Sequence, residues 1–114
     1  MENVKAPTSS SYRDYLIKSL KNPERAAGYI GVMLELDEEG YDPAMFSSAL
    51  EEVVEARKQL GTFSLVAQQH YEKLDKILAK TGGEEILALI EFLDELGYRI
   101  AVVAKDEETS ETED

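Results

Sequence analysis

The stretch Thr62-Phe63-Ser64-Leu65-Val66-Ala67-Gln68, followed after two residues by Tyr71-Glu72-Lys73-Leu74-Asp75-Lys76-Ile77-Leu78-Ala79-Lys80, decides how this chain is read. Each half has helical spacing of its apolar residues, through Phe63, Val66 and Ala67 and then through Leu74, Ile77 and Leu78. Gly61-Thr62 precedes the first half and Gly82-Gly83 follows the second, so both ends are punctuated. Two short helices this close are the size of a helix-turn-helix unit, with Thr62 as cap of the first. Lys73, Lys76 and Lys80 recur at spacings of three and four and so share one helix face, as phosphate contact would require. Spacing alone equally allows an ordinary packed helix pair with a solvated lysine face.

Outward from this unit the chain reads as mainly α. Ser11 can cap a first helix over Tyr12–Leu20, with Tyr12, Tyr15, Leu16 and Leu20 along one side. Asn22-Pro23-Glu24 is a cap, a first-position proline and an early acid, opening a second helix to about Leu36. Asp42-Pro43 repeats the signal for a third, to about Gln59, with Phe46, Ala49, Leu50, Val53 and Val54 as its buried stripe. After the two central helices, a sixth runs from Glu84 to Leu96, stopped by Gly97. Ile86, Leu89, Ile90 and Leu93 are its apolar positions. The β-branched and aromatic run Tyr98–Val103 predicts a short C-terminal strand. A lone strand leaves its backbone groups unpaired, so Arg99, Ile100, Ala101, Val102 and Val103 are expected to pair with a second copy in a homodimer. Residues 1–10 read as a flexible arm, 11–104 as one helical domain, and 105–114 as an acidic disordered tail.

At 114 residues, with 43% hydrophobic and 32% charged residues, the chain suits one globular domain. The net charge is −12, but it is unevenly spread. Between Arg57 and Gly83 five basic residues face two acids, whereas Leu34 to Ala56 holds eight acids and no base. A basic island in an acidic background admits nucleic acid at the island and a basic protein elsewhere. Without cysteine there is neither a disulfide framework nor a thiolate site. The single histidine, His70, lacks neighbours for either a catalytic or a metal-ligating role. The acid pairs Glu38-Glu39, Glu51-Glu52 and Glu84-Glu85 sit where solvated charge is expected. Gly82-Gly83 lacks the lysine and spacing of a phosphate loop. A non-enzyme without metal or cofactor is therefore expected. No secretion signal opens the chain and no apolar run is long enough to span a bilayer, so the expected compartment is the cytoplasm.

Residues spread from Ser11 to Val102 resemble the addiction module antidote family, bacterial antitoxins with a lambda-repressor-like helix-turn-helix. The matching positions include Asp14-Tyr15-Leu16, Pro23-Glu24, Ala26-Ala27, Tyr29-Ile30, Asp42-Pro43, Phe46 and Ala49-Leu50. Glu55-Ala56-Arg57, Glu72, Leu74, Leu78 and the closing Leu96-Gly97-Tyr98-Arg99-Ile100 continue the pattern. The resemblance implies a dimeric helical bundle that binds operator DNA and neutralises a basic ribonuclease-like toxin of the RelE type. It places the helix-turn-helix over Gln59–Lys80, with Tyr71–Lys80 as recognition helix. The DNA-binding residues would be Tyr71, Glu72, Lys73, Asp75, Lys76 and Lys80, with Arg57 and Thr62 nearby. The chain departs from the family at Ser64, Gln68, His70, Tyr71, Asp75 and Gly82-Gly83-Glu84, close to the DNA-facing positions. Two functions follow as expectations: an antitoxin-like regulator of transcription, or a family member that has lost DNA binding and acts as a protein-interaction module.

Overall fold

The computed structural model describes residues 9–36 and 40–105, with side chains from residue 11 onward. Residues 1–8 of the expected 1–10 arm, the Glu38-Glu39 pair and the tail beyond Lys105 lie outside the described residues; Ser9 and Ser10 are helical, so Ser11 lies inside the first helix and is not its cap. Five helices follow in order: α1 (Ser9–Ser19), α2 (Pro23–Met33), α3 (Pro43–Leu60), α4 (Leu65–Thr81) and α5 (Glu84–Glu95).

Helix starts follow local chemistry. The Asn22 carboxamide oxygen accepts from the Glu24 and Arg25 amides at 2.9 and 3.1 Å, with Pro23 at the first helical position. The Asp42 carboxylate does the same for Ala44 and Met45, at 2.9 and 3.4 Å. Three helix ends are closed by left-handed glycines, Gly61, Gly82 and Gly97. At Gly61 (φ 74°) the Thr62 amide donates to Arg57 O and the Gly61 amide to Lys58 O, satisfying carbonyls of the last turn of α3. Gly97 closes α5 in the same way, with the Tyr98 amide on Leu93 O at 2.8 Å.

Helix α3 stands between two cores. On one side α1 and α2 pack on it through Ile17, Leu20, Ala26 and Ala56, with Leu16, Tyr29 and Val53 alongside. Ala49 and Ala56, two turns apart, are fully buried, and their small size lets neighbouring helices approach closely. Burying a side chain the size of Ile17 contributes about 1.5–3 kcal/mol. The second core gathers Tyr41, Phe46, Leu78 and Ile90, with Leu50, Leu74, Ile86 and Ile100 packed around them. It joins α3 to α4, α5 and the end of the chain.

Two further features differ from the sequence reading. Six helices are expected and five are found, because the two central ones are a single helix. Leu65–Thr81 contains neither glycine nor proline, and Gln68 stands where a turn would require positive φ. Placing a non-glycine residue there costs about 1–2 kcal/mol, so the segment continues as helix. The Gln68 amide instead makes the first intrahelical bond, to Ser64 O at 3.0 Å. The cap is Ser64, whose hydroxyl accepts from the Ala67 amide at 3.0 Å. Thr62 turns back and donates its hydroxyl to Arg57 O.

The second difference is at the C-terminus. Tyr98–Val103 forms no strand among the described residues. It is without regular structure, with Ile100 and Val102 half-buried and Arg99, Ala101 and Val103 exposed. The alternation expected of a strand is present, but the inward residues rest on helices of the same chain. Ile100 packs in the second core, and a Cβ on Gly31 of α2 would stand 3.7 Å from the Val102 amide nitrogen. The two inward residues, Ile100 and Val102, are thus covered within the chain, while Arg99, Ala101 and Val103 stay exposed; their pairing with a second copy remains a proposal.

Candidate functional site

The sequence-derived DNA-facing residues divide into two groups. Glu72, Lys73, Lys76 and Lys80 do come together: with Gln69 and Ile77 they line the open outer face of α4. All four are exposed, and the lysines make no ion pair among the described residues. Glu72 instead accepts from the Gln68 carboxamide at 2.6 Å, an i, i+4 contact that a turn at this point would have broken.

The remaining residues face elsewhere. Tyr71 is half-buried on the inner side of α4, in register with Leu74 and Leu78. Burial is the main cause that raises its phenol above the usual range, and the carboxylates of Asp75 and Glu51 add to it. Glu51 belongs to α3, so Tyr71 is turned toward that helix and away from the lysines. Arg57, in the last turn of α3, lines a cleft with Pro23, Val53 and Val102. Thr62 is held by the turn before α4. Asp75 is exposed, but the lining residues of the lysine face do not include it. Sequence reasoning misses Gln69 and Ile77 on this face. It places Ile77 in the core, yet that side chain is 41% exposed. The 71–74–78 spacing of the inner stripe is the signal that separates Tyr71 and Ile77 correctly.

Acidic surface dominates the rest. Helix α3 carries Glu51, Glu52 and Glu55, of which only Glu52 is tied inward, accepting from the Tyr29 hydroxyl at 2.6 Å. Burial first and then this bond raise the Tyr29 phenol well above its usual range. Helix α5 carries Glu84, Glu85, Glu91, Asp94 and Glu95 with no basic residue. Among the described residues no group of three His, Cys, Asp or Glu side chains could hold a metal ion. Nor is any helix among them long and apolar enough to cross a membrane.

No family model matches the chain, and neither a curated protein nor a solved structure is significantly similar to it. Functional inference therefore rests on the surfaces themselves.

Proposed function

We propose that this protein is an acidic protein-interaction module built on an antitoxin-like helical scaffold, whose partner is a basic protein. One observation carries the reading: α4 runs unbroken from Leu65 to Thr81, through the positions where a helix-turn-helix needs its turn. A recognition helix must be set at an angle to the helix before it so that its N-terminal residues reach base edges. Here the preceding residues extend the same axis, Tyr71 is packed inward, and Glu72 places a carboxylate among the lysines. The exposed Glu51, the half-buried Glu55 beside it on α3 and the exposed carboxylates of α5 supply the complementary argument, since such a surface attracts a basic partner and repels nucleic acid. The resemblance to antidote proteins suggests a small basic toxin as the partner class.

A regulator of transcription is the second reading, favoured by the exposed Lys73, Lys76 and Lys80 on one face of α4. Two titrations separate the two. The first offers the purified protein DNA from upstream of its own gene, at low and moderate salt. The second offers any small basic protein encoded beside it to this chain, in wild-type form and as the Glu51→Lys/Glu55→Lys variant. The interaction-module reading expects no sequence-selective DNA binding and a protein complex weakened by the double charge reversal. Salt-sensitive, sequence-selective DNA binding that is lost on replacing the three lysines would overturn it.

A further inference from the structure

Two surfaces are left uncovered by the fold, and they complement each other. On α5, Ile86, Leu87 and Ile90 turn toward the second core while Leu89, Phe92 and Leu96 form a separate stripe at spacings of three and four. These three side chains are 50%, 60% and 53% exposed. Glu84, Glu91 and Glu95 border the stripe, exposed and without ion pairs among the described residues. The outer face of α4 is its opposite in charge: Leu65, Val66 and Ile77 are exposed apolar residues, and Lys73, Lys76 and Lys80 run among them. A stripe of large apolar residues bordered by unpaired charge marks an interaction surface rather than a solvated helix face.

We propose that a second copy of this chain covers both surfaces, the basic face of α4 in one protomer seated on the acidic apolar face of α5 in its partner, and reciprocally. Charge selects this pairing over the two homotypic ones. Joining α5 to α5 would oppose the bordering carboxylates with their own copies, and joining α4 to α4 would bring two lysine rows together. Only the crossed arrangement sets lysine against carboxylate while burying Leu89, Phe92 and Leu96. Area argues for reciprocity. A twelve-residue helix is about 18 Å long and roughly 10 Å wide, so one contact covers only a few hundred square ångströms. A stable association buries about 800 Å² per partner, which a single contact does not approach and two related by a twofold axis come nearer to. The reciprocal arrangement also closes on itself, whereas a one-way contact between the two faces would propagate into a filament. It leaves the acidic face of α3, where the basic partner is proposed, outside the contact.

Sedimentation velocity over a wide concentration range tests this with three samples. The first is the wild-type chain, the second Lys73→Glu/Lys76→Glu/Lys80→Glu, and the third Glu84→Lys/Glu91→Lys/Glu95→Lys, each checked for helix content by circular dichroism. Wild type should dimerise, and each reversed variant alone should weaken self-association by about tenfold or more. An equimolar mixture of the two reversed variants should recover the dimer, because in that heterodimer every α4 again meets an α5 of opposite charge. A Phe92→Asp chain should be monomeric without any change in lysine charge. A monomeric wild type at all concentrations, reversed variants that dimerise unaided, or a mixture that fails to recover the dimer would each overturn the proposal. Binding of the basic partner by a monomeric chain would leave the interaction-module reading standing.

Discussion

Tyr41 offers the most exacting check on the second core. Its ring is buried against Phe46, centroids 5.9 Å apart, and its hydroxyl is buried with no hydrogen-bond partner among the described residues. A hydroxyl taken from water without compensation costs about 1–3 kcal/mol in protein series. Tyr41→Phe keeps the ring and removes that cost, so it should stabilise the fold by about 1 kcal/mol. With a urea m-value of about 2 kcal/mol per molar, the unfolding midpoint should rise by roughly 0.5 M. The neighbour sharpens the test. A Cβ on Gly83 would stand 3.0 Å from the Tyr41 hydroxyl oxygen and 3.2 Å from Pro43 Cβ, at a backbone φ of +77°. Gly83→Ala should therefore cost about 1–2 kcal/mol from the left-handed backbone alone, with the crowding added. In the Tyr41→Phe background the oxygen is gone while the Pro43 contact and φ remain, so the same substitution should cost about 0.5–1 kcal/mol less. Urea unfolding of the four chains in this cycle reads both effects. A destabilised Tyr41→Phe chain would show that the hydroxyl has a partner, and zero coupling would show that it does not crowd Gly83.

Three further outcomes are expected. Gly31→Ala, inside α2, should stabilise by about 0.5–1 kcal/mol through helix propensity, because its Cβ would meet Val102 at ordinary contact distance; differential scanning calorimetry showing a lowered Tm would mean that the C-terminal segment lies closer than 3.7 Å. Asp42→Ala should lose about 1 kcal/mol by freeing the Ala44 and Met45 amides, and Asp42→Asn should retain most of it in chemical denaturation. Alkaline titration followed by circular dichroism should show stability intact below about pH 10 and falling above it. Tyr29, Tyr41 and Tyr71 all have raised phenols in the folded chain, chiefly through burial, so the unfolded chain ionises first and gains from rising pH. Replacing Tyr29 by Phe should reduce that alkaline loss, and an unchanged profile would contradict the sign.

What can be read in the sequence is local. Asn22-Pro23, Asp42-Pro43, Gly61 and Gly97 set helix boundaries by chemistry confined to a few neighbouring residues: α2 and α3 begin, and α3 and α5 end, where those signals put them. The lysine face is likewise readable, because residues 73, 76 and 80 share a side of any helix that contains them. The break between Gln68 and Tyr71 is read from the spacing of the apolar residues, against the helix-forming composition of Leu65–Thr81, which holds neither glycine nor proline. The C-terminal segment fails for the converse reason. Its alternation is real, but a period of two does not say whether the inward residues meet a strand or a helix. That choice depends on Gly31 and the surface of α2, far away in sequence. The surfaces on α4 and α5 are hidden because Ile77 and Leu89 look like core residues until their neighbours are in place.

The seating of Val102 against Gly31 has a consequence for how the molecule comes into being. A ribosome delivers α2 long before it delivers the residues that cover it. Until Ile100 and Val102 emerge, Ala27 and Ile30 lack the covering that the last part of the chain provides. Such a long-range closing contact forms late and slowly relative to the helices it joins. During that interval the nascent chain presents an apolar groove to its surroundings, and the newly exposed C-terminal residues must reach it before another extended segment does.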